Sequence, residues 1–158
     1  MIKLCALLKP ENILLGISAS SKKRILELGA QTLSLLYNLD KKAIFDGLNA
    51  RERLGSTYLG YGLAVPHCRM KDLDQPRALF IRLNDRLEDN PESEPIEAFF
   101  FLLVPEEATD EHLQILAQIS EIFSDEKERE ILKEASTVAE FAEDIDKWCA
   151  QHPTDEEQ

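Results

Sequence analysis

Runs of apolar residues alternate along this chain with segments in which apolar positions recur at helical spacing. Runs typical of β-strands cover Asn12 to Ile17, Leu63 to Val65, Ala78 to Leu83 and Ile96 to Val104. The last run is so continuously apolar that both faces of its sheet should be covered. The pattern therefore predicts a sheet with helices on both sides.

Two helices are predicted before the middle of the chain. Ser20 or Ser21 can cap the first helix, because a hydroxyl oxygen accepts hydrogen bonds from the free N–H groups of a first turn. The second helix should begin near Lys41 and end before Gly55. The predicted apolar faces are Ile25, Leu28, Leu33 and Leu36 in the first helix, and Ile44, Phe45 and Leu48 in the second.

Three further helices are predicted after the last strand. Asp110 precedes a helix that carries His112 in its first turn, and a short charged helix covers Asp125 to Lys133. Thr137 and Glu140 have the spacing of a capping box at the start of the final helix. The predicted apolar faces are Leu113, Leu116, Ala117, Ser120 and Phe123 in the first of these helices, and Phe141, Ile145 and Trp148 in the last. Strands interleaved with helices predict an α/β fold, and the polar segment Asn84 to Pro95 predicts an exposed connection.

Composition narrows the possible functions. The chain has 158 residues, enough for one domain, and its 30 acidic against 18 basic residues give a formal net charge of −12. A nucleic-acid-binding surface requires clustered Lys and Arg, so nucleic acid is not an expected partner. No apolar run approaches the roughly 20 residues that a membrane helix needs. We therefore expect a cytoplasmic protein that does not insert into a membrane.

The three cysteines, Cys5, Cys68 and Cys149, are far apart and odd in number. They form no C-x-x-C pair, so neither a disulfide framework nor a zinc site is predicted. The expectation is three free thiols and no metal.

Residues 51 to 67, R-E-R-L-G-S-T-Y-L-G-Y-G-L-A-V-P-H, carry the candidate chemistry. Glycines in this stretch let the backbone adopt positive φ and approach a ligand closely, and two hydroxyls add hydrogen-bond donors. Pro66 then fixes the direction of the chain just before His67. A histidine placed after such a loop suits a reactive imidazole. The candidate loop residues are Gly55, Ser56, Thr57, Gly60 and Gly62.

This stretch resembles the active-site segment of the fructose/mannitol-type enzyme IIA proteins of the bacterial phosphotransferase system. The likeness includes G-S-T and A-V-P-H, and it extends in the same order to P-E-N-I-L-L, S-K-K-R-I-L-E-L, F-F-F-L-L-V-P and H-L-Q-I-L-A-Q-I. It covers nearly the whole chain and is greatest toward the free-standing, nitrogen-type regulatory members. The resemblance implies a three-layer α/β/α sandwich around a mixed, about five-stranded sheet in one domain over residues 1–150, followed by an acidic tail at 151–158.

The same resemblance implies a role for three residues. His67 accepts a phosphoryl group from the phosphocarrier protein HPr, which enzyme I charges from phosphoenolpyruvate; His112 is a supporting histidine and Arg51 contacts the phosphate. Phosphoryl transfer requires donors and cations around the equatorial oxygens, which the loop and the forked guanidinium of Arg51 can provide. No cofactor is implied. The phosphorylated form is expected to act on regulatory protein targets or on an enzyme IIB.

Three residues depart from the family pattern. Cys68 stands where glycine usually follows the histidine, and a requirement for positive φ there would strain it. Tyr58 and Tyr61 replace small loop residues and could narrow the site or offer a hydroxyl to the phosphate. Arg69 and Arg77 are interpreted as exposed charges that flank the segment.

Two other functions remain open at this stage. A sugar-transport enzyme IIA would pass its phosphoryl group to a separate enzyme IIB. A pure interaction module would bind its partners without phosphorylation of His67. Hydrolysis by Cys68 and His67 is disfavoured, because adjacent residues on extended backbone point to opposite faces.

Overall fold

The computed structural model describes residues 2–89, 94–108 and 110–153. The predicted strands and helices occur in the predicted order, and the structure also contains a short helix at the start and two short strands, at residues 58–60 and 67–70, that were not predicted. The strands are β1 (Ile13–Ile17), β2 (Tyr58–Gly60), β3 (Leu63–Ala64), β4 (His67–Met70), β5 (Arg77–Leu87) and β6 (Ile96–Pro105). The helices are α1 (Leu4–Leu7), α2 (Lys22–Tyr37), α3 (Lys41–Leu54), α4 (Glu111–Ser124), α5 (Glu126–Glu134) and α6 (Val138–Gln151).

The strands form one mixed sheet. β1 is parallel to β5, β5 is antiparallel to β6, and β6 is parallel to both β3 and β4. β2 adds an antiparallel strand beside β3. The sheet has six strands rather than about five, because Pro66 has no N–H to donate and separates β3 from β4 along the same edge of β6. The Pro66 carbonyl still accepts a hydrogen bond from the Leu102 N–H, at 3.0 Å.

Alternate residues of the two central strands point into two separate cores. Leu79 and Phe101 pack beneath α2 and α3, whereas Phe80 and Phe100 pack against the layer formed by α1, α4 and α6. All four are at most 2% exposed. This confirms the predicted three-layer α/β/α sandwich in a single domain.

Helix ends follow the predicted caps, but two apolar faces differ from the prediction. Ser21 caps α2 by accepting the Arg24 N–H, and Thr137 caps α6 by accepting the Glu140 N–H. In α2, Leu36 is exposed and the small residues Gly29 and Ala30 are buried. In α4, the predicted face is correct at Phe123 but not at Leu113. The buried residues of α4 are Ile115, Ile119, Ile122 and Phe123, while Leu113 is 57% exposed.

The connections differ from the prediction as well. β5 extends four residues beyond the predicted end at Leu83, so Asn84 to Leu87 belong to the strand; residues 90–93 of the predicted exposed connection lie outside the described residues. The acidic tail predicted at 151–158 is described only to Pro153 and remains a prediction. Among the described residues, no helix combines the length and the apolarity that crossing a membrane requires.

Candidate functional site

His67 is the first residue of β4, and the backbone holds its ring in one orientation. Its Nδ1 lies 2.8 Å from the carbonyl oxygen of Val65. Because a carbonyl oxygen can only accept a hydrogen bond, Nδ1 carries the proton and Nε2 is left with a free lone pair. Neutral His67 is therefore prepared as a nucleophile at Nε2.

His67, His112 and Arg51 line one open depression that runs along the edge strand β4. β6 supplies Val104 to its floor, and α3 supplies Ala50 and Leu54 to one wall. Arg51 lies in the last turn of α3, and its Nη1 donates to the Gly55 carbonyl at 2.9 Å. The structure thus brings together the three side chains that the sequence singles out, from three different elements.

His112 lies in the first turn of α4 on the same side as the buried Ile115 and Ile119. It is half-buried, and among the described residues its Nδ1 has no hydrogen-bond partner. Burial lowers the pKa of His112 from 6.5, and charge interactions with Arg69 and His67 lower it further. Asp110 opposes this shift. The neutral form of His112 is therefore favoured.

Arg69 is the residue of this site that sequence reasoning missed. It lines the same depression, and its Nη1 donates to the carbonyl oxygens of Glu106, at 3.1 Å, and Ala108. These bonds fix a positive charge beside the chain segment that leads into α4. The signal was present in the sequence, because residues two apart on a strand share a face and Arg69 follows His67 by two.

We expect Arg69→Gln to raise the pKa of His112, because the substitution removes the second-largest cause of its depression. The measurement is an NMR pH titration of the His112 ring. Arg69→Lys keeps a positive charge and should leave the pKa below 6.5. An unchanged titration in Arg69→Gln would contradict this electrostatic role and leave burial as the cause.

In the loop between α3 and β2, the side-chain hydroxyls form hydrogen bonds to other groups of the protein. Gly55 is the C-cap of α3 with φ of 152°, a value that favours glycine. Ser56 accepts the Tyr58 N–H through its side chain at 3.0 Å, and the buried Thr57 hydroxyl donates to Glu52. Glu52 also pairs with Lys22 at 2.7 Å. The loop is thus attached to α2 and α3 before any ligand binds.

Gly60 and Gly62 belong to the hairpin between β2 and β3. Gly60, Tyr61 and Gly62 all have positive φ, and φ at the two turn residues, Tyr61 and Gly62, is 57° and 78°, the sign that a type I′ turn requires. The Tyr58 hydroxyl accepts the Gly62 N–H and donates to Glu94, both at 2.9 Å. Tyr61 packs against the Arg129 guanidinium and lines a different groove from His67. The two tyrosines therefore stabilise the hairpin.

Cys68 occupies ordinary strand backbone and is not among the residues with positive φ, so no strain arises at this position. It lies in register with Leu103, whereas His67 lies in register with Leu102, and these two leucines belong to opposite cores. Burial raises the pKa of the Cys68 thiol to about 12. Cys68 borders the same depression as His67, but the alternation of their side chains and the raised pKa of the thiol disfavour a joint hydrolase site.

The three-layer α/β/α domain brings an oriented imidazole, a second histidine and two arginines to one depression. The family described as "Phosphoenolpyruvate-dependent sugar phosphotransferase system, EIIA 2" matches residues 6–148. The chain belongs to this family.

Similar proteins include the nitrogen regulatory protein of Pseudomonas aeruginosa, which is 39% identical over 139 residues, 87% of this chain and 90% of that protein. The crystal structure of the nitrogen regulatory protein IIA-Ntr from Neisseria meningitidis superposes with a TM-score of 0.83 at 36% identity, covering 90% of this chain and 98% of the other. The mannitol IIA of Escherichia coli shares the fold, with a TM-score of 0.75 at 24% identity, covering 87% of this chain and 98% of the other.

Proposed function

We propose that this protein carries a phosphoryl group on Nε2 of His67, received from phosphorylated HPr, and that the two forms of the protein regulate different partners. The hydrogen bond from Nδ1 of His67 to the Val65 carbonyl is the observation that carries this proposal. Because Nδ1 carries the proton in this bond, Nε2 is the nitrogen expected to attack phosphorus. The family and its nitrogen regulatory relatives support the phosphotransferase assignment.

The transfer step requires no proton to be released or taken up. The Nε2 lone pair of His67 forms a bond to phosphorus while the N–P bond of the donor phosphohistidine breaks, and the donor nitrogen keeps the bonding pair. The His67 ring becomes positively charged as the new bond forms. The Val65 carbonyl then accepts a hydrogen bond from a cationic ring, which is stronger than one from a neutral ring.

The surrounding cations suit a phosphoryl group. Arg51 and Arg69 place two guanidinium groups around the His67 depression in a chain whose net charge is −12. Forked N–H donors match the equatorial oxygens that carry charge in the transition state. Before transfer the neutral form of His112 is favoured. A phosphoryl dianion beside it would raise the pKa of His112 and favour the protonated form. It can then donate a hydrogen bond to that dianion.

The acceptor is expected to be a regulated protein. The relatives from Pseudomonas aeruginosa and Bradyrhizobium diazoefficiens are named nitrogen regulatory proteins. A separate enzyme IIB is the second candidate, because the mannitol IIA of Escherichia coli, at 23% identity, is known in a complex with phosphorylated IIB. Partner choice would follow from the charge of about −2 that is added at His67.

Incubation of this protein with phosphoenolpyruvate, enzyme I and HPr tests the proposal. We expect the intact mass to increase by one phosphoryl group that is stable in alkali and lost in acid, with NMR placing the phosphorus on Nε2 of a histidine. A related enzyme IIA labelled in parallel controls for donor activity. A folded protein that stays unlabelled while this control is phosphorylated would overturn the proposal and favour a binding module that acts without phosphorylation.

A further inference from the structure

Two cysteines meet where the first and last helices of the domain pack against each other. Cys5 lies in α1 and Cys149 in α6, 144 positions apart in the sequence. The backbone N–H of Cys5 donates to Sγ of Cys149 at 3.2 Å. Both residues belong to the core on the α1, α4 and α6 side of the sheet. The chain therefore places two thiols side by side, away from the His67 depression.

We propose that Cys5 and Cys149 are a modification site, a thiol pair that a peroxide oxidises to an intramolecular disulfide. The Cys149 sulfur accepts the Cys5 N–H at 3.2 Å, and the two side chains are also hydrogen-bonded to each other. A disulfide needs a Cα to Cα separation of roughly 4.4–6.8 Å. Because α1 and α6 already pack against each other, we expect the crosslink to form without movement of the sheet.

The two thiols have different accessibility, which sets the order of reaction. Cys5 is half-buried and reaches solvent, whereas Cys149 is only 4% exposed. Burial raises the pKa of Cys149 to about 12, with a further increase from its hydrogen bond to the Cys5 side chain. Because the thiolate is the reactive form, the exposed Cys5 is expected to react first.

The reaction balances with one peroxide for each disulfide. The Cys5 sulfur attacks one peroxide oxygen, becomes a sulfenic acid and releases one water. The Cys149 sulfur then attacks the Cys5 sulfur, the S–S bond forms, and the sulfenic oxygen leaves as a second water with the Cys149 proton. Each sulfur gives up one electron, and the peroxide accepts both.

The third cysteine is an internal control. Cys68 packs against Gly47 of α3, where a β-carbon on the glycine would lie 2.9 Å from the Cys68 sulfur. It belongs to the core on the opposite side of the sheet from Cys5 and Cys149. The sheet therefore separates Cys68 from the pair, so Cys68 should not take part in the crosslink.

The disulfide would also change stability. It would join positions 144 residues apart, and closing so long a loop restricts the unfolded chain strongly. We expect the Tm of the oxidised protein to exceed that of the reduced protein by roughly 10 °C. This increase should disappear on addition of dithiothreitol.

The test is to treat the full-length, reduced, folded protein with hydrogen peroxide, alkylate the remaining thiols and map the peptides. We expect a mass loss of about 2 Da before alkylation, one alkylated residue, Cys68, and a peptide that links Cys5 to Cys149. The rate should not depend on protein concentration. Cys5→Ser should form no crosslink and leave Cys149 reduced, whereas Cys68→Ser should form the crosslink as the unchanged protein does.

Several results would overturn the proposal. One is three alkylated cysteines after a dose of peroxide that fully oxidises glutathione in the same tube. Others are a crosslink that involves Cys68 or joins two chains, a Cys5 that proceeds to sulfinic acid beside a reduced Cys149, or a crosslink that forms only in denaturant.

Discussion

His67→Gln is expected to abolish phosphorylation of this protein, with a loss of at least about 10³-fold in the rate of transfer. Glutamine is polar and similar in length to histidine, so the variant should fold, and its amide nitrogen takes the position of Nε2 rather than that of the Nδ1 that bonds to the Val65 carbonyl. It has no lone-pair nitrogen with which to attack phosphorus. Intact mass after incubation with the complete donor system is the measurement.

The chain offers a matched control for this substitution. His152 follows α6, where its Nδ1 bonds to the Trp148 carbonyl at 2.9 Å and its ring stacks on the Trp148 indole. Like His67, it forms a ring-nitrogen bond to a backbone carbonyl, but it does not line the depression. His152→Gln should be phosphorylated as the unchanged protein is. Acid-labile phosphate on a folded His67→Gln protein would mean that another histidine is the carrier.

Much of the fold could be predicted from sequence because the strands are long and strongly apolar. The continuous run of β6 correctly indicated a sheet covered on both faces, and the serine and threonine caps of α2 and α6 were identified at the right residues. The buried face of α4 was not predicted correctly, because its sequence contains two overlapping apolar stripes. Only packing against Phe80 and Phe141 in the folded core decides that the isoleucine stripe is buried and Leu113 is not.

The conformation of the loop was less predictable than its chemistry. A family comparison drew attention to Cys68, yet the positive φ values fall at Gly60, Tyr61 and Gly62, where the hairpin reverses. Which residue takes such a conformation depends on strand register, and register is fixed by tertiary pairing with β6. For Arg69 the opposite holds, because its position was predictable but its role was not recognised. Simple alternation along β4 would have placed it on the His67 face, and its importance was underestimated because an arginine near a strand end is usually a solvated charge.

Gly29→Ala is expected to destabilise the domain by about 2 kcal/mol and lower its Tm by about 4–8 °C, although alanine is the better helix former by about 1 kcal/mol. Gly29 lies where α2 crosses β6. A β-carbon at this position would lie 2.4 Å from the ring of Phe101, which is fully buried and has no free space to move into. The overpacking penalty should therefore exceed the gain in helix propensity. Thermal and urea unfolding give the measurement.

Two comparisons isolate the steric cause. In a Phe101→Leu background the ring is absent, so Gly29→Ala should cost at least about 1 kcal/mol less than it does alone. Gly47→Ala, in the neighbouring helix α3, provides the same gain in helix propensity against contacts of 2.9 Å with the sulfur and 3.4 Å with the β-carbon of Cys68, and should cost less. Equal stability of the two alanine variants would contradict the close approach of α2 to β6.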